Sequence, residues 1–349
     1  MYDFIIVGQG IAGTLLSEEL LANNQSVLII DNYHANSSSN IATGIVNPIT
    51  GRKLVKSFMI DELLPICDEV YSTVEKKFNK KIIYHQSICK LFSSQEDIEI
   101  WNKRKLDAEY AAYMSDIVFI ENKHVNNRLG AGIINNCFWL DVPLFIATYR
   151  NYFIEKKLLH DEFFDFKELK IGDTIQYKNI EAKHIIFCEG YKAIENPLFN
   201  FIPFTTAKGE FLVFKSDELK LETILNKNYI VLPKENNTYS FGSTFVWNDL
   251  EETMTSKSRI ELTDKLAKII NCPFSIIEEK AGIRPTVKDR RPILGSHPEY
   301  RNIHIFNGLG TKGVSLTPYF SKYLVQNLLH GQKIKKEVSI NRFLDIKVI

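Results

Sequence analysis

Apolar and polar positions along this chain fall into blocks whose period changes from two to near 3.6, and each change marks an element. Residues 3 to 31 begin on the apolar run FIIV, pass through GQGIAG, continue with leucines at helical spacing and close on VLII before Asp31. That order predicts strand, tight turn, amphipathic helix and second strand. Phe58, Leu63, Ile66, Val70 and Val74 lie near helical spacing and predict a long helix over 56 to 79. Alternating segments at 82 to 92, a helix through Trp101 and a strand-like run at 131 to 140 suggest a smaller antiparallel sheet inserted into the first unit. A helix resumes over 141 to 158, and HIIFCEG at 184 to 190 reads as a buried strand returning to the opening unit.

Strand signals dominate again from Ala207: GEFLVF, then YIVLP at 229 to 233 and TYSFGSTF at 238 to 245, followed by a helix near 258 to 270. The last part holds GIRPTVKDRRPILG, a strand at 303 to 308, the turn GLGTKG and a terminal helix. Thr317 and Pro318 supply N-cap and first-turn signals for that helix, and Gly331 supplies its stop.

At 349 residues the chain suits two domains. Lysine plus arginine (43) nearly balances aspartate plus glutamate (42), so no global basic field exists to hold nucleic acid or an anionic membrane. A small polar or zwitterionic substrate fits that balance better. The five cysteines are scattered and show no C-x-x-C, which argues for reduced, buried thiols rather than a disulfide framework or zinc site. The eight histidines show no ligand spacing, and no G-x-S-x-G elbow occurs. The chain starts directly on its first strand, and no apolar run approaches the ~18 residues of a membrane span. The expectation is a cytoplasmic protein; the oligomeric state is not legible.

The opening G-x-G-x-x-G has a mechanical reason at each glycine: Gly8 for the tight turn, Gly10 for backbone approach to a pyrophosphate, Gly13 for close helix–strand packing. Asp31 is placed to accept a ribose hydroxyl. Ser38, Ser39, Asn40, Thr43 and Gly44 offer donors in a loop that either returns across the pyrophosphate or forms a solvated turn. A second glycine-rich strand-to-helix turn, Gly308 to Gly313, directs backbone N–H groups at something electron-rich, and Lys312 can add a full charge there. Two such turns at opposite ends of the chain suit FAD, one taking phosphates and the other the ring. Arg284, held extended by Pro285, reads as a carboxylate clamp or as the partner of an acid such as Asp289. Tyr229 reads as a pocket hydroxyl or as a core aromatic.

Across most of its length the chain resembles the FAD-dependent amino acid and amine oxidoreductases typified by D-amino acid oxidase, glycine oxidase and sarcosine oxidase. VGQGIAG with Asp31 resembles their N-terminal fingerprint, SSNIATGIVNP their pyrophosphate-covering loop, and AKGE at 207 to 210 the start of their substrate domain. YIVLP, SFGST, GIRPTVKDRRPILG and GLGTKGVSLTP resemble further family strands and the terminal flavin turn. The implied fold class is α/β: a Rossmann-like FAD-binding domain with a parallel central sheet (1–75, 141–205 and 280–349) and an inserted antiparallel-sheet α+β substrate domain (76–140 and 206–279). The resemblance implies that Ile11, Ala12, Asp31, Asn32, Ser38, Ser39, Thr43, Gly44 and Ile45 contact FAD, and that Gly310, Thr311, Lys312, Gly313 and Val314 contact its isoalloxazine ring. It implies that Arg284 holds the substrate carboxylate and that Tyr229, through a one-residue shift, matches a pocket tyrosine.

The chain departs from the glycine oxidase pattern at Leu309 and Thr311, where that group carries histidine and arginine. LGTKG is closer to the turn of the tRNA wobble-uridine oxidase, which acts on a carboxymethylaminomethyl group. No cysteine lies in the last turn and no histidine in 40 to 44, so noncovalent FAD is expected. The resulting expectation is oxidation of the C–N bond of a small amino acid or secondary amine by hydride transfer to flavin N5. The alternatives are 2-hydroxy acid oxidation, tRNA wobble-uridine oxidation and a catalytically silent flavin-binding protein.

Overall fold

A computed structural model describes residues 1–344; the final five residues of the expected 280–349 segment lie outside the described residues. The opening strand Tyr2–Val7 pairs in parallel with Val27–Ile30 on one side and Ile180–Phe187 on the other. Leu159–His160 and Ile303–Asn307 extend the parallel array, and three antiparallel strands complete an eight-stranded sheet. Phe4 and Ile6 face one core with Leu16 and Phe320, while Ile5 and Val7 face another with Phe187 and Phe199. Burial on both faces is why these strands read as continuous apolar runs. The first helix, Ile11–Ala22, packs against the last, Gly313–His330. A β-carbon on Gly13 would stand 1.8 Å from the Gly8 carbonyl oxygen, so the third glycine is what lets helix and turn touch.

The second sheet has nine strands. Ser275–Arg284 lies beside Ala207–Lys215, which is followed across the sheet by Thr238–Gly242, Tyr229–Pro233, Ile224–Lys227, Ile88–Leu91 and Ala131–Ile134. All these neighbours are antiparallel except Ile224–Lys227 and Ile88–Leu91. Within it, Lys208 and Glu210 are fully buried 3.6 Å apart. Asp249 also accepts from Lys208 at 3.0 Å, and Glu210 accepts from Thr244 Oγ1 at 2.9 Å, from the Thr255 N–H at 2.7 Å and from Ser258 Oγ. The AKGE segment therefore pins the loop between 244 and 258 to the sheet.

The structure differs from the sequence expectation in four places. The run 131 to 140 is two strands in two sheets: Asn136, at φ 55°, turns the chain so that Phe138–Leu140 joins Ile45–Val46 and Ile83–His85. Both halves are apolar, so alternation alone could not separate them. The expected boundary at 279/280 falls inside the single strand Ser275–Arg284. The helix expected over 258 to 270 is Ser256–Ala267, capped by Thr255. The last helix begins one turn before Thr317 and Pro318, so these are not its cap. Pro318 lacks the N–H that would bond Val314 O, and the buried Tyr71 hydroxyl donates to that carbonyl instead at 2.7 Å. Gly331, at φ 70°, ends the helix as expected. All five cysteines are free and buried.

Candidate functional site

One cavity of about 640 Å³ runs between the two sheets. Its first wall is the turn Gly8 to Ala12 together with Asp31 and Asn32, at the carboxyl ends of the first two parallel strands. The polar loop after Asp31 does return across this turn: Ser39 Oγ accepts the Ile11 N–H at 3.0 Å at the start of the first helix. Ser38, Ser39, Asn40, Thr43, Gly44 and Ile45 all line the cavity. Gly44 (φ 74°) fixes the loop's far end, because a β-carbon there would meet Leu140 O at 1.9 Å. Every residue expected to contact the cofactor lines this one cavity except Gly13, which lies behind the turn as a packing glycine.

Asp31 is held more firmly than its position in the sequence suggests. Its carboxylate accepts from the Gln9 N–H (2.9 Å), the Tyr33 N–H (2.9 Å) and Arg150 Nη1 (2.7 Å). Arg150 is buried, pairs also with Asp161 at 2.8 Å and donates to Gln9 Oε1 at 3.3 Å. Sequence reasoning missed Arg150; the available signal was an arginine among the apolar residues of LFIATYRNYF. It also missed Glu189, which lines the cavity just beyond strand Ile180–Phe187. Burial pushes its carboxyl up to about 7, against a hydrogen bond from Asn196 at 2.7 Å.

The second glycine turn forms the opposite wall. Gly308 (φ 71°) and Gly310 (φ 55°) adopt left-handed conformations, and the Gly310 N–H donates to Pro285 O at 3.0 Å, tying the turn to the residue after Arg284. Gly310, Thr311, Lys312, Gly313 and Val314 line the cavity. Burial lowers the Lys312 ammonium pKa, and Arg291 and Arg290 nearby lower it further.

Arg284 closes the site. Its guanidinium donates to Ser243 Oγ at 2.6 Å and to Thr244 O at 3.4 Å, and it stacks 5.1 Å from the Phe245 ring. Burial lowers its pKa to about 10. Among the described residues no carboxylate lies within 4.0 Å of it; Asp289, the alternative partner, is taken by Arg342 at 2.8 Å. The guanidinium lies across Gly209, where a β-carbon would stand 1.8 Å from Nη2. Gly209→Ala is therefore expected to displace the guanidinium: carboxylate ligands should weaken at least tenfold while FAD stays bound, as measured by titrating the flavin spectrum.

Tyr229 is corrected by strand parity. It shares a sheet face with Val231, packs on Phe241 with ring centroids 5.6 Å apart, and donates its hydroxyl to Glu261 Oε1 at 2.6 Å. Burial and Glu261 push its phenol up to about 12. Asn228 and Ile230 line the cavity in its place.

Residues 3–327 match the family described as FAD dependent oxidoreductase. The chain belongs to that family. It is thus an FAD-dependent oxidoreductase with a Rossmann-like domain and a second sheet domain, and FAD is its cofactor. It is 20% identical over 371 residues to glycine oxidase of Bacillus subtilis, covering 97% of this chain and 98% of that one. It is 24% identical over 399 residues to the tRNA 5-methylaminomethyl-2-thiouridine biosynthesis bifunctional protein MnmC of Leptospira borgpetersenii serovar Hardjo-bovis (strain JB197). That match covers 96% of this chain but 58% of the relative, so the chain spans little more than half of it. The fold is that of glycine oxidase from Geobacillus kaustophilus, with a TM-score of 0.80 at 18% identity and 95% of each chain covered. No helix among the described residues is long and apolar enough to cross a membrane.

Proposed function

We propose that this flavoenzyme oxidises the C–N bond of a small amino acid or secondary amine whose carboxylate is held by Arg284, with FAD bound noncovalently. The observation that carries this reading is Arg284 itself: a half-buried guanidinium on the cavity wall, without a carboxylate partner among the described residues. Such a group stabilises a bound anion strongly because part of its own desolvation has already occurred on folding. When bound, FAD supplies the acceptor for a hydride from the carbon bearing the amine.

The chain's own residues bind and orient. The turn Gly8 to Ala12 and the loop 38 to 45 take the pyrophosphate, with Asp31 set by Arg150 and Gln9 to meet the ribose. Lys312 and the N-terminus of the last helix place positive charge at the ring end. Arg284 is coupled to that end through the Gly310 to Pro285 hydrogen bond, so one short segment fixes carboxylate and ring wall together. The substrate loses a hydride from carbon and a proton from nitrogen to give an imine, which water hydrolyses to a carbonyl and a free amine or ammonia.

A second reading, oxidation of an aminomethyl side chain on a tRNA base, is favoured by the MnmC likeness and by the LGTKG turn. Product analysis tests the proposal against its rivals. Turnover of a panel of amino acids and N-substituted glycines should release ammonia or a primary amine in step with hydrogen peroxide or reduced acceptor. Oxidation of 2-hydroxy acids alone, or of modified tRNA alone, would replace it.

A further inference from the structure

Deepening the reading just given, and resting on it, we propose that Lys90 and Arg52 form a second anion-binding subsite, so that the substrate carries a carboxylate or phosphate at its far end besides the carboxylate held by Arg284. The floor of the cavity is one face of the nine-stranded sheet. Directly paired positions in neighbouring strands share a face, and the pairs Phe211 to Gly242, Gly242 to Ile230, Ile230 to Asn226 and Asn226 to Lys90 make a single row. Phe211, Ile230, Asn226 and Lys90 all line the cavity. The Arg284 guanidinium lies over Gly209 on the strand that carries Phe211, so four inter-strand gaps, roughly 19 Å of backbone, separate it from the Lys90 strand. The second anion must therefore sit on a spacer.

Lys90 and Arg52 also line a smaller adjoining cavity of about 270 Å³ with Asn228, Glu96 and Asp97. Neither acid comes within 4.0 Å of the Lys90 ammonium, and Asp97 accepts the Ser93 N–H at 2.8 Å. Burial lowers the Lys90 pKa, opposed by the Asp97 charge and reinforced by Arg52. The four acids lining the main cavity, Asp31, Glu162, Glu189 and Glu195, all belong to the nucleotide side, and Glu162 is neutralised by Lys178 at 2.6 Å. Arg284, Lys312, Lys90 and Arg52 thus wall the substrate end of the main cavity, whose described acidic lining residues all lie on the nucleotide side, while Glu96 and Asp97 stand only in the adjoining smaller cavity. Two separated cationic groups, neither in direct contact with a carboxylate, fit a ligand with two separated anions.

The test uses the FAD-loaded protein and unreactive probes followed by perturbation of the flavin spectrum: acetate, the diacids from succinate to hexadecanedioate, and 12-phosphonododecanoate. The long diacids or the phosphonate should bind at least tenfold tighter than acetate, and which series gains more distinguishes carboxylate from phosphate as the natural far group. Lys90→Met should abolish that advantage and Lys90→Arg should retain it. The exposed Arg52→Ala reports on the same advantage if Lys90→Met does not fold. Arg284→Ala should weaken every probe. If diacids and phosphonate bind no tighter than acetate, or if Lys90→Met weakens acetate and the others alike, the second subsite is overturned while the Arg284 clamp stands. If no carboxylate perturbs the flavin, the clamp itself fails, and the subsite with it.

Discussion

Arg284→Ala is expected to weaken carboxylate-bearing ligands by about 2 to 5 kcal/mol, roughly 30-fold to several thousand-fold, with FAD still bound. The size follows from the environment of the guanidinium. It is already partly desolvated, its neighbours Ser243 and Thr244 satisfy only part of its donor set, and Asp289 is paired with Arg342. Removing it leaves a ligand carboxylate facing a low-dielectric wall. Arg284→Lys should recover only part of the loss, because an ammonium cannot reproduce two parallel hydrogen bonds. Titration of the flavin spectrum with a nonreactive carboxylate gives the dissociation constants directly, and equal values for wild type and Arg284→Ala would remove the clamp.

Glu210→Ala is expected to be the most damaging substitution outside the cavity, at about 3 to 5 kcal/mol of stability. Its carboxylate is fully buried and accepts from Thr244, the Thr255 N–H and Ser258, with Lys208 3.6 Å away and equally buried. Loss of the carboxylate strands these donors and half-strips the lysine of compensation, although Asp249 remains at 3.0 Å. Burial alone would raise the carboxyl pKa, but the hydrogen bonds and Lys208 outweigh it and the pKa lies below the usual glutamate value. A lowered carboxylate pKa means that its stabilisation is complete above the ordinary glutamate range and is lost as the pH falls below it. Thermal melts should therefore show a large deficit for Glu210→Ala at neutral pH that narrows in acid; equal melting temperatures at pH 7 would contradict the assignment.

The two glycine-turn walls of the cavity were legible because each of their parts is local. Gly8, Gly10 and Gly13 act within one turn, the loop 38 to 45 follows the second strand directly, and Gly308 to Gly313 joins a strand to a helix. Arg284 could be singled out, but its role could not be decided, since whether Asp289 pairs with it depends on where Arg342 folds back. Tyr229 was misplaced because a strand shows its residues to opposite faces in turn, and a one-residue shift exchanges pocket for core. Arg150 and Gly209 act across separations of 119 and 75 residues, on Asp31 and Arg284 respectively, and Lys90 pairs in register with Asn226 136 residues away. No short motif spans such distances. The split of 131 to 140 escaped for another reason, since both halves are apolar and only the turn at Asn136 divides them.

The most direct test of C–N oxidation governed by Arg284 is anaerobic titration of the FAD-loaded protein with amino acids and N-substituted glycines, followed by the flavin's visible absorbance. At least one carboxylate-bearing amine should bleach the oxidised flavin in wild type and fail to do so at the same concentration in Arg284→Ala. A flavin that every such amine leaves oxidised, or that is bleached equally well in both proteins, would contradict it.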